Sequence, residues 1–172
     1  MDAFIAAVRA LSRACGVVSV LLLLAAVLVV NHLVILRYVL NASAIWQYEF
    51  VTYSLIGATI IGSPYVLMTR GHVNVDLLPL YLGPRLRFAL ALIAAVTGLG
   101  FCLTLAVTGI GFWYQAWSKG WVSETVWAPP LWIPYLAVPL GMGLLALQYL
   151  ADILALVTGR EPPFGLGDEG RR

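Results

Sequence analysis

The chain of 172 residues is too apolar to fold as a water-soluble domain: 62% of its residues are hydrophobic, only 10% are charged, and its mean hydropathy is +0.93. Soluble domains carry about 25% charged residues. The net charge of +2 and the scattered arginines provide no basic patch of the kind that binds nucleic acid. The composition therefore predicts an integral membrane protein.

Four long stretches of the chain contain no charged residue. They comprise 23 residues at 14–36, 20 at 50–69, 31 at 88–118 and 27 at 125–151. A helix needs about 20 residues to cross a hydrocarbon core, and it satisfies its own backbone hydrogen bonds there. We predict an all-α, four-helix transmembrane domain over residues 1–157, with spans at about 14–36, 50–69, 88–118 and 129–155. Residues 158–172, rich in glycine and charge, are predicted to form a disordered tail.

Lysine and arginine are distributed unevenly between the two sides of these spans. Arg37 and Lys119 lie on one side. The other eight precede span one, connect spans two and three, or follow span four: Arg9, Arg13, Arg70, Arg85, Arg87, Arg160, Arg171 and Arg172. Because cytoplasmic segments carry the excess of positive charge, we expect both termini in the cytoplasm.

Two of the loops between the spans contain charged residues whose positions predict local structure. Arg37 and Glu49 lie at the two helix ends joined by the first loop, where an ion pair is expected. In the second loop, Asp76 can cap a short helix whose first turn tolerates Pro79. We expect an interfacial helix there between spans two and three, with a simple linker as the alternative.

All six tryptophans are predicted to lie on the side opposite to the arginine-rich one. They are Trp46 in the first loop and Trp113, Trp117, Trp121, Trp127 and Trp132 around the third. Indole rings prefer the headgroup layer, so the group is either a belt of interfacial anchors or a docking surface for an external partner. A continuous helix would place Trp113, Trp117 and Trp121 on one face.

The charge-free stretches argue against a self-contained proton-driven pump, since ionisable groups inside a membrane usually mark proton or ion paths. His32 and His72 are predicted at opposite sides of the membrane and cannot ligate one haem iron. We predict no catalytic, cofactor or metal site.

Small residues four apart, such as Ser54, Ala58 and Gly62, predict close helix packing. A self-sufficient small transporter or channel, and a membrane redox enzyme, remain as alternatives.

Several short motifs follow one another in a fixed order between about Val34 and Leu150. They are Arg37-Tyr38-Val39-Leu40-Asn41, Trp46 with Glu49, Gly62, Arg70-Gly71-His72-Val73-Asn74-Val75-Asp76, Pro84-Arg85, Pro130-Leu131-Trp132-Ile133-Pro134-Tyr135 and Pro139-Leu140-Gly141. This order resembles the small membrane subunit of tripartite ATP-independent periplasmic (TRAP) transporters, the DctQ-like family.

The resemblance implies a non-enzymatic scaffold subunit of the bacterial inner membrane, without a cofactor. Its implied partners are a large membrane subunit, which carries the substrate and sodium sites, and a periplasmic binding protein that delivers an organic acid anion. The implied process is sodium-coupled uptake of a carboxylate. The residues expected to position the subunits are Arg37, Trp46 and Glu49 on the outer side and Arg70, His72 and Asp76 on the inner side.

Overall fold

The computed structural model describes residues 2–69 and 83–158, and within these ranges the fold is all-helical. The helices are α1 (Asp2–Tyr38), α2 (Gln47–Met68), α3 (Pro84–Ser118), α4 (Trp132–Tyr135) and α5 (Ala137–Val157). Four segments of this part of the chain are long and apolar enough to cross a membrane: Ala3–Tyr38, Gln47–Met68, Arg85–Ser118 and Trp132–Val157. The predicted all-α, four-span membrane fold is confirmed. The predicted interfacial helix and residues 159–172 of the predicted tail lie outside the described residues.

Helices α1 and α3 are much longer than a membrane is thick. With 37 and 35 residues, they measure about 55 and 52 Å, against a hydrocarbon core of about 30 Å. Both helices extend past the charge-free stretches of the sequence, so α1 includes Arg9 and Arg13 at one end and Arg37 at the other. Long cationic side chains can reach the headgroup layer from such positions.

The helices pack in the order α1, α2, α5, α3. Helix α1 packs mainly on α2 and α3 mainly on α5, while α2 and α5 pack on each other. In their most apolar segments, 28% of α2 and 33% of the α4–α5 span are buried, against 6% of α1 and 11% of α3. We therefore call α2 and α5 the central pair and α1 and α3 the outer pair.

The small residues of α2 form a packing surface, as the sequence predicts. Ser54, Ala58 and Gly62 are all buried. Ser19 of α1 donates a hydrogen bond of 2.7 Å from its hydroxyl to the carbonyl oxygen of Ala58. A methyl group at Gly62 would lie only 2.7 Å from that hydroxyl oxygen. The absence of a side chain at Gly62 thus lets α1 and α2 approach closely.

A proline and a glycine bring the central pair together. Pro64 lies inside α2 and is almost fully buried. Because proline has no backbone N–H, the carbonyl of Ile60 loses its helical donor. Gly141 of α5 lies against this carbonyl, and a methyl group there would be 2.6 Å from its oxygen. The two backbones therefore meet at a distance that only glycine allows.

The contact between α3 and α5 is a small apolar core. Cys102, Leu145 and Ala146 are buried there, and Leu99 and Tyr149 pack around them. Both cysteines of the chain, Cys15 and Cys102, are buried and carry free thiols.

Candidate functional site

Three of the six predicted positioning residues lie at one end of the bundle. This end is formed by two connections, residues 39–46 between α1 and α2 and residues 119–131 between α3 and α4, and is called the loop end. Arg37 lies in the last turn of α1, Trp46 precedes α2 and Glu49 lies in the first turn of α2. The other three, Arg70, His72 and Asp76, lie outside the described residues. The loop end is therefore the part of the predicted site whose geometry can be described.

The start of α2 is held by a glutamine that sequence reasoning missed. Gln47 is only 3% exposed, and its side-chain oxygen accepts hydrogen bonds from the backbone N–H groups of Ile45 (3.0 Å) and Trp46 (3.1 Å). Backbone donors before a helix have no helical partner, so this oxygen satisfies two of them. The signal in the sequence is a polar residue in the first turn of a span.

The expected ion pair between Arg37 and Glu49 is not formed. Arg37 donates a hydrogen bond of 3.0 Å to the hydroxyl of Tyr48. Glu49 accepts one of 2.6 Å from the hydroxyl of Ser123. The reason is helical geometry: Tyr48 and Glu49 are consecutive and project about 100° apart. Tyr48 thus contacts α1, while Glu49 turns toward the other connection.

The bond between Glu49 and Ser123 joins residues that are 74 positions apart. It links α2 of the central pair to the 119–131 connection. The second carboxylate oxygen of Glu49, Oε2, is buried and has no hydrogen-bond partner within the described residues. A carboxylate accepts several hydrogen bonds, so Glu49 has capacity for a further donor.

Trp46 is the centre of an aromatic cluster at the loop end. Its ring lies 6.2 Å from that of His32 at the end of α1, 5.9 Å from Phe50 on α2 and 6.3 Å from Trp127 of the other connection. Aromatic pairs at such distances contribute about 0.5–1.5 kcal/mol beyond their buried area. Trp46 thus joins the two connections through ring contacts, as Glu49 does through a hydrogen bond.

A second aromatic series runs along the end of α3. Trp113 and Trp117 lie 5.5 Å apart between ring centres, and Trp117 lies 5.0 Å from Trp132 of α4. Trp121 does not continue this series, although its spacing predicted that it would. Helix α3 ends at Ser118, and Gly120 takes a left-handed backbone with a φ of +60°. The chain therefore leaves the helical axis before Trp121, as is common at glycine C-caps.

The 119–131 connection is held by its own backbone. Val122 and Pro130 form an antiparallel bridge. Backbone N–H groups of Ser123 and Leu131 donate to the carbonyls of Pro129 (3.0 Å) and Trp121 (2.9 Å). These bonds bring both ends of the connection together and place Ser123 beside Glu49.

The tryptophans of this end differ in exposure. Trp117 is 56% exposed and Trp127 40%, whereas Trp113, Trp121 and Trp132 are half-buried. Exposed rings at one end of a membrane bundle suit both an interfacial anchor and a docking surface.

Within residues 2–69 and 83–158, no cluster of three or more histidine, cysteine, aspartate or glutamate side chains could hold a metal ion. The described contacts of the loop end are hydrogen bonds and ring contacts between elements of this chain.

The opposite end contains a buried polar contact that sequence reasoning also missed. Ser12 of α1 donates a hydrogen bond of 2.8 Å to the side-chain oxygen of Gln148 on α5. The amide nitrogen of Gln148 in turn donates one of 2.8 Å to Asp152. Gln148 is fully buried. A lone glutamine within a charge-free stretch was the available signal for this contact between α1 and α5.

The helices and the two polar ends define a class: this is a small multi-pass membrane protein in which polar side chains at both ends connect one element of the bundle to another. Comparison with known families narrows that class. The family model of the DctQ component of tripartite ATP-independent periplasmic transporters matches residues 26–159. The chain belongs to this family, which comprises transporter permease subunits rather than enzymes. The resemblance drawn from the motif order is confirmed.

A curated relative supports the same assignment. The chain is 27% identical over 148 residues to the C4-dicarboxylate TRAP transporter small permease protein DctQ of Vibrio cholerae serotype O1. The match covers 74% of this chain and 64% of the relative. The chain thus spans just under two thirds of the length of that protein.

Proposed function

We propose that the chain is the small scaffold subunit of a TRAP transporter that takes up a carboxylate, with C4-dicarboxylates as the first candidates. The observation that carries the proposal is the family match over residues 26–159. The substrate class follows from the name of the V. cholerae relative. In this proposal a large membrane subunit carries the substrate and couples its movement to sodium, and a periplasmic binding protein delivers it.

The architecture suits a fixed support better than a moving part. The central pair meets at backbone distance, at Ile60 and Gly141. A contact of this kind has little freedom to slide because a shift of either helix brings backbone atoms into collision. The outer pair leaves most of its apolar surface uncovered. In the proposed complex, part of that surface packs against the large subunit and widens its stationary part.

We further propose that the loop end faces the periplasm and the termini face the cytoplasm of a bacterial inner membrane. The distribution of lysine and arginine supports this orientation, since among those in the described residues only Arg37 and Lys119 lie at the loop end. The binding protein then approaches the side that carries the tryptophans. Arg37, Trp46 and Glu49 position this surface, and Arg70, His72 and Asp76 contact the large subunit at the opposite side.

The test is co-purification followed by transport. A tagged full-length chain, extracted in mild detergent, is expected to retain the large subunit. Proteoliposomes containing both subunits, together with the binding protein, are expected to accumulate a C4-dicarboxylate when a sodium gradient is applied. Liposomes with this chain alone are expected to show no flux. Flux from the chain alone, or a tagged chain that never retains a large subunit, would contradict the scaffold role.

Alanine variants at the inner side sharpen this test. Arg70→Ala and Asp76→Ala are expected to lower the amount of large subunit retained and, in proportion, the rate of uptake. The ratio of uptake rates for two competing carboxylates is expected to stay unchanged, because the substrate is bound elsewhere. A changed ratio would place the substrate against this subunit.

A further inference from the structure

Helices α1 and α2 enclose an apolar groove on the outside of the bundle. Its volume is about 270 Å³, and its walls include Gly16, Ser19 and Val20 of α1 and Ala58, Thr59 and Tyr65 of α2. Val20 is 64% exposed and Tyr65 40%, so the groove opens toward the surrounding lipid. It is independent of the loop end and of the proposed transport role.

At the floor of the groove, a glycine of one helix lies opposite a larger side chain of the other, so that the two helices come close together. A methyl group at Gly16 would lie 2.6 Å from the ring of Tyr65. The polar groups of the walls are already used: Ser19 bonds to the carbonyl of Ala58, and Thr59 bonds to the carbonyl of Leu55. The groove therefore presents mainly carbon to an occupant, as a hydrocarbon chain requires.

Arg13 lies on the side of α1 that borders the groove, about one turn closer to the N-terminus than Gly16. Arg13 precedes Gly16 by three residues and Val20 by seven, so all three share a face of α1. Arg13 is exposed. It directly precedes the charge-free stretch that starts at residue 14, which places it at the depth of the lipid headgroups. Its guanidinium is suited to bind a phosphate with two parallel hydrogen bonds.

The size of the groove favours a lipid chain over a protein helix. The α1 residues that line it run from Gly16 to Leu23, a rise of about 10 Å. The space between the two helices along this length is about 270 Å³, and it is open on the lipid side. A helix about 10 Å in diameter has a cross-section of roughly 80 Å². A helix of this thickness would rest on the rim of the groove and leave its floor empty, whereas a thinner, flexible acyl chain can enter it.

We propose that this groove binds an anionic phospholipid, with an acyl chain between α1 and α2 and the phosphate on Arg13. Basic residues next to a crevice between membrane helices are a common arrangement for anionic headgroups. The site is formed by one chain and needs no other subunit.

The test measures lipid retention by the full-length chain, purified in detergent and supplied with equal amounts of phosphatidylglycerol and phosphatidylcholine. Native mass spectrometry counts the lipids that remain bound. The wild-type chain is expected to retain phosphatidylglycerol preferentially. Arg13→Gln is expected to lower that retention about five-fold, the effect of one arginine at an anionic surface. Val20→Phe is expected to lower retention of both lipids by filling the groove.

Matched controls separate this site from general effects. Val17→Phe changes an exposed valine of α1 that does not line the groove, and Arg85→Gln removes an exposed arginine at the start of α3. Both are expected to retain lipid as the wild type does, and thermal stability checks that all variants fold. Equal loss in the controls, or equal retention of the two lipids by the wild type, would overturn the proposal. So would a Val20→Phe variant that keeps its lipid but loses the large subunit.

Discussion

The central pair and the outer pair of helices are both apolar, but they differ in how much of their surface is buried. Helices α2 and α5 are the more buried pair, and at Ile60 and Gly141 their backbones are in contact. Helices α1 and α3 are longer and keep most of their side chains at the surface. In lipid, close packing rather than hydrophobicity drives helix association. The difference indicates that the fold depends mainly on the central pair, while the outer pair provides surface.

The substitution Gly141→Leu is expected to have the largest effect on stability, because it acts at the contact within the central pair. The new side chain would collide with the backbone of Ile60, which cannot move aside as a flexible side chain can. We expect a loss of about 3 kcal/mol or more in the free energy of unfolding, or failure to accumulate. Reversible unfolding in mixed micelles measures it.

Gly143→Leu is the matched control, because no atom lies within 4 Å of a methyl group added at Gly143. It is expected to change the free energy of unfolding by about 0.5 kcal/mol or less. Equal effects of the two substitutions would show that the central contact is not decisive.

Gln148→Leu tests how an outer helix is attached to the central pair. The change removes the hydrogen bonds from Ser12 and to Asp152 inside an otherwise apolar contact. We expect a loss of about 1–2 kcal/mol, since the bond from Ser12 joins two helices and an interhelical hydrogen bond in a membrane contributes about 0.6–2 kcal/mol. The same unfolding assay applies. Gln115→Leu, at an exposed position of α3, serves as control, and a loss as large as that of Gln148→Leu would argue against the buried contact.

Ser123→Ala has the smallest expected effect and tests the link at the loop end. Loss of the bond to Glu49 is expected to cost about 0.6 kcal/mol. It should also raise amide hydrogen exchange in residues 119–131, because the connection loses its bond to α2. Exposed Ser43 provides the control variant Ser43→Ala. If both variants exchange alike, the connection is held by its own backbone bonds alone.

Length and charge were enough to predict the four spans, because a membrane imposes a minimum number of uncharged residues on each crossing. The order of short motifs was enough to predict the family. The order in which the helices pack was not predictable, since small residues four apart occur on several spans and the spacing does not show which helix each of them contacts. Only the structure shows that Gly62 faces α1 and Gly141 faces α2.

At the candidate site, the residues were predicted better than their contacts. Arg37 and Glu49 are both at the loop end, but Arg37 bonds to Tyr48 and Glu49 bonds to Ser123. Trp121 would share a face with Trp113 and Trp117 only on a continuous helix, and α3 ends before it, at Ser118. Gln47 and Gln148 were overlooked because a neutral polar residue interrupts no charge-free stretch. Contacts over 74 and 136 positions depend on tertiary packing that no local pattern encodes.

Helix α5 covers polar groups of α1 and α2 that no earlier helix covers. This has a consequence for the stage of synthesis at which α5 has not yet been made. When the ribosome has released only α1, α2 and α3, the hydroxyl of Ser12 lacks Gln148 and the carbonyl of Ile60 lacks Gly141. Both groups then face lipid or the insertion machinery. Arrival of α5 covers them together. A chain that stalls before α5 would therefore leave two polar atoms uncovered, one on α1 and one on α2.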